Sequence, residues 1–170
     1  MLKVIGVVCL VLGGTLAGMG RAAALRERAR VLRDVQSALW VMQGEICTYN
    51  SGLPELFERL AGAGDRAAPL FLRLKRDIST LGDVKFEEIW RKTVEQAAFL
   101  KLEPQERECL ARLGSVLGRY DAEEQQRCLA GCGERFGEFA AAAEREAAAR
   151  GGMWTGLGTA AGTLLAVILL

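Results

Sequence analysis

Between residues 25 and 46 the apolar positions keep a heptad beat. Leu25, Leu32, Leu39 and Ile46 form one row, and Val35 and Met42 the other, with Arg28 breaking the second row at its start. An a/d seam sustained for about three heptads predicts a long helix. "TYNSGLP" stops it, with Gly52 as the breaker and Pro54 suited to the first turn of the next helix. That helix, "PELFERLAG", ends in Gly62 and Gly64. "APLFLRLKRDIST" predicts a third, with Leu70, Leu74 and Ile78 on one face, closed by "LGD". "FEEIWRKTVEQAAFL" predicts a fourth, burying Phe86, Ile89 or Trp90, and Val94. A fifth opens at Pro104, carries Leu110, Leu113 and Leu117, and ends at Gly118. Asp121 and Glu124 make a D-x-x-E start related to the capping box. The sixth helix then runs through Leu129, Cys132, Phe136, Phe139 and Ala143, and its "FAAAAEREAAAR" has very high helix propensity. Nothing in the middle of the chain alternates with period two, so the expected fold is an all-α bundle of about six helices.

The two ends follow a different pattern. Residues 4–20, "VIGVVCLVLGGTLAGMG", and residues 151–170, "GGMWTGLGTAAGTLLAVILL", contain no charge. A helix needs about 20 apolar residues to cross the hydrocarbon core. The first and last long helices are therefore expected to continue into transmembrane helices, at residues 1–20 and 151–170, around a helical domain at 21–150. Gly151 and Gly152 are the expected flexure between the last helix and its span. A cleavable signal peptide is the alternative for the first span, with "GMG" or "AAA" as the cleavage site. A core helix is the alternative for the last. Gly14 and Gly18, Gly152 and Gly156, and Gly158 and Gly162 are each four apart, a spacing that lets helix backbones approach closely in lipid. The two spans pack on each other or on partners. Arg21, Arg26, Arg28, Arg30 and Arg33 follow the first span, whereas Lys3 alone lies beyond its other end. The excess of basic residues puts the middle domain in the cytoplasm and both termini outside.

Charge adds an exclusion. All 21 acids and 21 of the 22 bases lie between Arg21 and Arg150. A middle segment so balanced offers no nucleic-acid footprint. There is no histidine, hence no supply of the commonest general base or metal ligand. No G-x-x-x-x-G-K-[ST] loop occurs. Five cysteines, at 9, 47, 109, 128 and 132, are too few and scattered for a disulfide framework, and suit a reduced compartment. Cys128 and Cys132 share a helix face but make at most half a zinc site, so they read as small buried hydrophobes. Neither catalytic residues, a cofactor nor a metal is expected. Glu45 is the carboxylate of interest, against the alternative of an exposed or ion-paired side chain.

Three stretches resemble a known family. "MLKVIG" is similar to the opening of the stage III sporulation protein AB family. "GEICTYNSGLPELFERLA" resembles its acid-Ile pair, polar turn and Leu-Pro helix start. "LGSVLGRYDAEEQQ" resembles its paired Leu-Gly motif followed by an Asp-led helix. Glu45, Leu53, Pro54, Gly114, Gly118, Asp121 and Gln125 fall on these motifs. Tyr120 and the "CTYNSG" turn depart from them. The resemblance implies a membrane component of the channel-like complex joining mother cell and forespore, in the mother-cell membrane surrounding the forespore. It implies a helical domain like the cytoplasmic domains of the platform proteins of type II secretion and type IV pilus machines, with a hexameric secretion-type ATPase as partner. Other membrane proteins of the complex, the bilayer and further copies of the chain are the remaining expected partners. A membrane-anchored adaptor or sensor outside any secretion machine is the alternative. Contact with the ATPase is expected at the membrane-distal turns, through Glu45, Leu53, Pro54, Glu55, Glu58, Asp121 and Gln125. A helix from Arg21 to Tyr49 would place the first of these turns ~42 Å from the bilayer.

Overall fold

A computed structural model describes the backbone of residues 2–48, 53–63, 66–80, 85–117 and 122–169, and the side chains of 6, 12–45, 55–62, 66–78, 85–117, 123–164 and 167. The fold is all-α. The helices are α1 (Leu2–Thr48), α2 (Leu53–Ala63), α3 (Ala68–Thr80), α4 (Phe86–Glu95), α5 (Pro104–Leu117) and α6 (Ala122–Leu169), with a 3-10 turn at Ala98–Leu100. No strand occurs among the described residues. The chain divides into two compact units, Val31–Phe139 and the pair Met1–Arg30 with Ala140–Leu170. α1 and α6 each contribute to both.

The unit Val31–Phe139 has an ordinary apolar core. Leu32, Val35, Leu39 and Met42 of the α1 heptad rows are buried, as are Leu56, Phe57 and Leu60 of α2, and Leu70, Phe71 and Leu74 of α3. In sequence order, α2 packs on α3, α3 on α4 and α4 on α5. Phe57 is the hub of an aromatic cluster. Its ring lies 6.3 Å from those of Phe71 and Phe86 and 6.2 Å from that of Trp90. Each such pair contributes about 0.5–1.5 kcal/mol beyond its buried area.

Trp90 also explains a glycine. Its indole N–H donates to the Leu110 carbonyl, 2.7 Å away. Within α5 that carbonyl also faces the N–H of residue 114, one turn on. A side chain at 114 would cover it: a Cβ on Gly114 would lie 2.6–2.8 Å from Trp90 Cδ1, Cβ and Cγ.

The predicted fourth helix extends too far. α4 ends at Glu95, where the Gln96 N–H donates to the Lys92 carbonyl at 3.0 Å and the Ala97 N–H to that of Val94 at 3.2 Å. The 3-10 turn follows, and Lys101 takes the left-handed conformation at φ 49°. Helix propensity loses here to burial, because the turn puts Ala97, Leu100 and Leu102 all inside. α5 then begins as Pro104 suggests. The Glu103 N–H donates to buried Glu106 Oε2 at 2.7 Å, half of a capping box. Among the described residues no buried side-chain nitrogen or oxygen lacks a partner.

In the other unit the ends of α1 and α6 run antiparallel, in backbone contact. A Cβ on Gly14 would collide with the Gly158 carbonyl and lie 3.2 Å from Gly162 Cα, and one on Gly18 would collide with the Trp154 carbonyl. Farther along, Ala22 meets Gly151, and Ala29, Ala143 and Ala147 are buried. Thr155, Thr159 and Thr163 turn their hydroxyls onto carbonyls one turn back, at 3.0, 3.0 and 2.7 Å. Among the described residues Leu12, Leu16, Met19, Met153, Leu157, Leu164 and Val167 are exposed, Leu16 to 66% and Val167 to 69%. The expected flexure at Gly151 and Gly152 is absent: α6 is helical throughout, because Gly151 is packed and a single helix can serve both units.

The expectation of terminal transmembrane helices goes further than the described residues do. Among them no helix is long and apolar enough to cross a membrane. The run "VVCLV" at residues 7–11 has side chains outside that set.

Replacing Gly114 with alanine is expected to destabilise the protein by about 1–3 kcal/mol. Overpacking against Trp90 and the strained indole bond outweigh the ~1 kcal/mol of helix propensity that alanine adds. Denaturant unfolding of the full chain in detergent micelles measures this; unchanged stability would contradict the packing role.

Candidate interaction surface

Among the described residues no group of three or more His, Cys, Asp or Glu side chains is placed to hold a metal ion. What the helices present is a set of charged side chains on the unit Val31–Phe139, together with a pair of thiols.

Glu45, late in α1, accepts from Arg59 of α2 with both carboxylate oxygens, at 3.1 and 3.0 Å. Its side chain is 17% exposed and that of Arg59 52%. Such a half-solvated pair contributes ~0.2–1 kcal/mol. Asp34 of α1 similarly receives the backbone N–H and the guanidinium of Arg66, at 3.4 and 3.3 Å. Glu58 of α2 pairs with Lys75 of α3 at 2.9 Å. Glu55 stands exposed in the first turn of α2, where an acid complements the helix dipole. Leu53 and Pro54 open α2, and nothing is described of their side chains. Gln125 donates its amide N–H to the Leu117 carbonyl at 3.3 Å, satisfying one of the end carbonyls of α5 from α6. Asp121 and Gly118 lie outside the described residues.

The helical register thus brings Glu45 to α2 and Glu58 to α3. Gln125 is turned to the end of α5. Of the glycines expected to pack, Gly14, Gly18, Gly158 and Gly162 lie at the α1–α6 crossing, whereas Gly152 and Gly156 face open space. Exposed apolar side chains add to the surface: Trp40 of α1, Leu72 of α3, and Phe99 of the 3-10 turn, over whose ring the Arg73 guanidinium lies at 5.2 Å.

The fold also joins two residues that helical spacing keeps apart. Cys109 of α5 and Cys132 of α6 have their Sγ atoms 3.2 Å apart. The hydrogen bond from Cys132 holds the Cys109 thiol down to about 7 against burial, helped by Arg135 and Arg112. Cys132 is pushed the other way by that same bond, by burial and by the charge on Cys109. The i, i+4 relation of Cys128 and Cys132 gave no hint of this partner. Cys128 instead lies 3.9 Å from Glu124, and burial and that carboxylate raise its thiol.

The model of one family, "Stage III sporulation protein AB (spore_III_AB)", matches residues 3–170 of the chain. The chain belongs to the stage III sporulation protein AB family. The protein of that name from Bacillus subtilis (strain 168) is 26% identical over 171 residues, covering 100% of both chains. No solved structure matches. Three of the residues in the stretches that resemble the stage III sporulation protein AB family have physical roles in this chain. Glu45 binds Arg59, Gly114 admits Trp90, and Gln125 holds the end of α5.

Alkylation of Cys109 by iodoacetamide is expected to rise with a midpoint at about pH 7, against 9.0 for an ordinary thiol, with Cys132 unlabelled. Peptide mass spectrometry across pH reads both sites. The same ionisation contributes stability that grows as pH rises from about 7 to 9.0 and is lost as pH falls through about 7. Cys132 acts oppositely above 9.0, where only the unfolded chain releases its proton. A Cys109 midpoint near 9 would contradict the thiol pairing.

Proposed function

We propose that the chain is a non-enzymatic, membrane-held component of the sporulation complex between mother cell and forespore, whose helical domain docks a cytoplasmic ATPase. The observation that carries the membrane reading is the inverted packing of the unit formed by the two chain ends. Small residues fill its interior, and Leu12, Leu16, Met19, Leu157, Leu164 and Val167 face outward. In water this arrangement leaves uncovered apolar area worth about 25 cal/mol per Å². In hydrocarbon the outward leucines are solvated and close backbone approach supplies the helix contact. The threonine hydroxyls are satisfied within α6, as a low-dielectric surrounding requires.

Residues 4–20 and 151–170 then form the spans. The arginines at 21, 26, 28, 30 and 33 lie on the cytoplasmic side, and both termini outside. The membrane concerned is that of the mother cell around the forespore. Arg21 stacks on Trp154 at 5.3 Å, a pairing suited to the headgroup region. The unit Val31–Phe139 acts by contact. Its best-placed docking residues are on the exposed side of α2, where Glu55 and Glu58 offer negative charge to a basic partner face. Glu45 acts there through its hold on Arg59.

Replacing both Glu55 and Glu58 with lysine is expected to weaken binding of a secretion-type ATPase by about tenfold, or ~1.4 kcal/mol, with helicity unchanged. Titration of the ATPase onto the full chain in micelles, with circular dichroism as the folding control, measures this. Undiminished affinity would remove α2 as the docking element, and no binding by the wild type would remove the ATPase as partner.

A further inference from the structure

The two thiols that meet across α5 and α6 are unused by the proposed docking role. Their Sγ atoms, 3.2 Å apart, need to move only about 1 Å to reach disulfide bonding distance. They also differ in access. Cys132 is buried at 5% exposure, whereas Cys109 is partly exposed beside Arg112 and Arg135. We infer that Cys109 and Cys132 form a redox modification site, which a peroxide converts to a disulfide joining α5 to α6.

The accessible sulfur reacts first. The Cys109 thiolate attacks one oxygen of hydrogen peroxide, forming an S–O bond as the O–O bond breaks. The hydroxide that leaves takes up the proton given off when Cys109 ionised, and becomes water. Cys109 is then a sulfenic acid, and its negative charge is gone. That charge is one of the causes keeping the Cys132 proton in place, so its loss prepares the second step. The Cys132 sulfur attacks Cys109 Sγ, the S–O bond breaks, and a second water leaves carrying the Cys132 proton. Two thiols and one peroxide become one disulfide and two waters. Cys128 is a poor competitor, since Glu124 beside it and burial both oppose its ionisation. The new bond would lie along the same α5–α6 contact that Gln125 holds through the Leu117 carbonyl.

The test uses the full chain in micelles, reduced, treated with hydrogen peroxide, blocked with N-ethylmaleimide and digested with trypsin. Cleavage after arginine puts Cys109 in ECLAR and both Cys128 and Cys132 in CLAGCGER. The expected product is these two peptides joined, two hydrogens lighter than their sum and carrying one N-ethylmaleimide on Cys128, and separated by dithiothreitol. Cys128→Ala should keep the joined product. Cys132→Ala should abolish it and, above pH 9.0 where Cys109 ionises without its Cys132 hydrogen bond, raise dimedone trapping of Cys109 sulfenic acid by about tenfold, because the resolving thiol is gone. Circular dichroism confirms that each variant is folded. A joined product surviving Cys132→Ala, heavy dimedone labelling of Cys109 in the wild type, or a Cys109 no faster than free cysteine would each overturn the inference.

Discussion

The unit formed by the chain ends depends on side chains that are missing. Because Gly14, Gly18 and Gly158 have no Cβ, the backbones of α1 and α6 come into direct contact there. Any larger residue would collide with a carbonyl of the facing helix. Among the described residues nothing bulkier than glycine and alanine is buried in that thin interior, and Leu12, Leu16, Met19, Met153, Leu157, Leu164 and Val167 are exposed. A helix pair that buries leucines between its members needs a wider separation of the axes. The apolar character of the outward face therefore follows from the crossing, and the proposed membrane role rests on it.

The unit Val31–Phe139 obeys the opposite rule. Its aromatic cluster around Phe57 and the Trp90 indole bonded to the Leu110 carbonyl form a core of normal polarity. Its surface acids include several tied to bases on neighbouring helices, as Glu45 is to Arg59 and Glu58 to Lys75. Charges committed in this way add little to stability. In the proposed docking, Glu55 would be met directly and Glu45 only through the Arg59 it holds.

Much of this was legible in the sequence. The heptad rows marked the buried side of α1, and α3 runs over the residues its periodicity picked out. α6 keeps the expected spacing in burying Leu129, Cys132, Phe136 and Ala143, but Phe139 is only partly buried and Ala140 lies inside in its place. The overextended α4 and the unbroken Gly151–Gly152 segment were not legible, for a shared reason. Propensity is local, whereas the stop after Glu95 and the continuity of α6 are set by what packs around them. The glycine pairs were legible as a spacing but not as a direction, so Gly152 and Gly156 looked equivalent to Gly14 and Gly18. The Cys109–Cys132 meeting lies on two helices and carried no periodic signal at all.

The account stands or falls on whether the paired helix ends sit in a bilayer. Alkaline carbonate extraction of membranes from cells producing the full chain tests this most directly. It strips proteins held by charge or by contact with other proteins and leaves those solvated by hydrocarbon. The account predicts that the chain stays in the membrane pellet. Its release into the supernatant would contradict the membrane reading and the inverted packing argument with it.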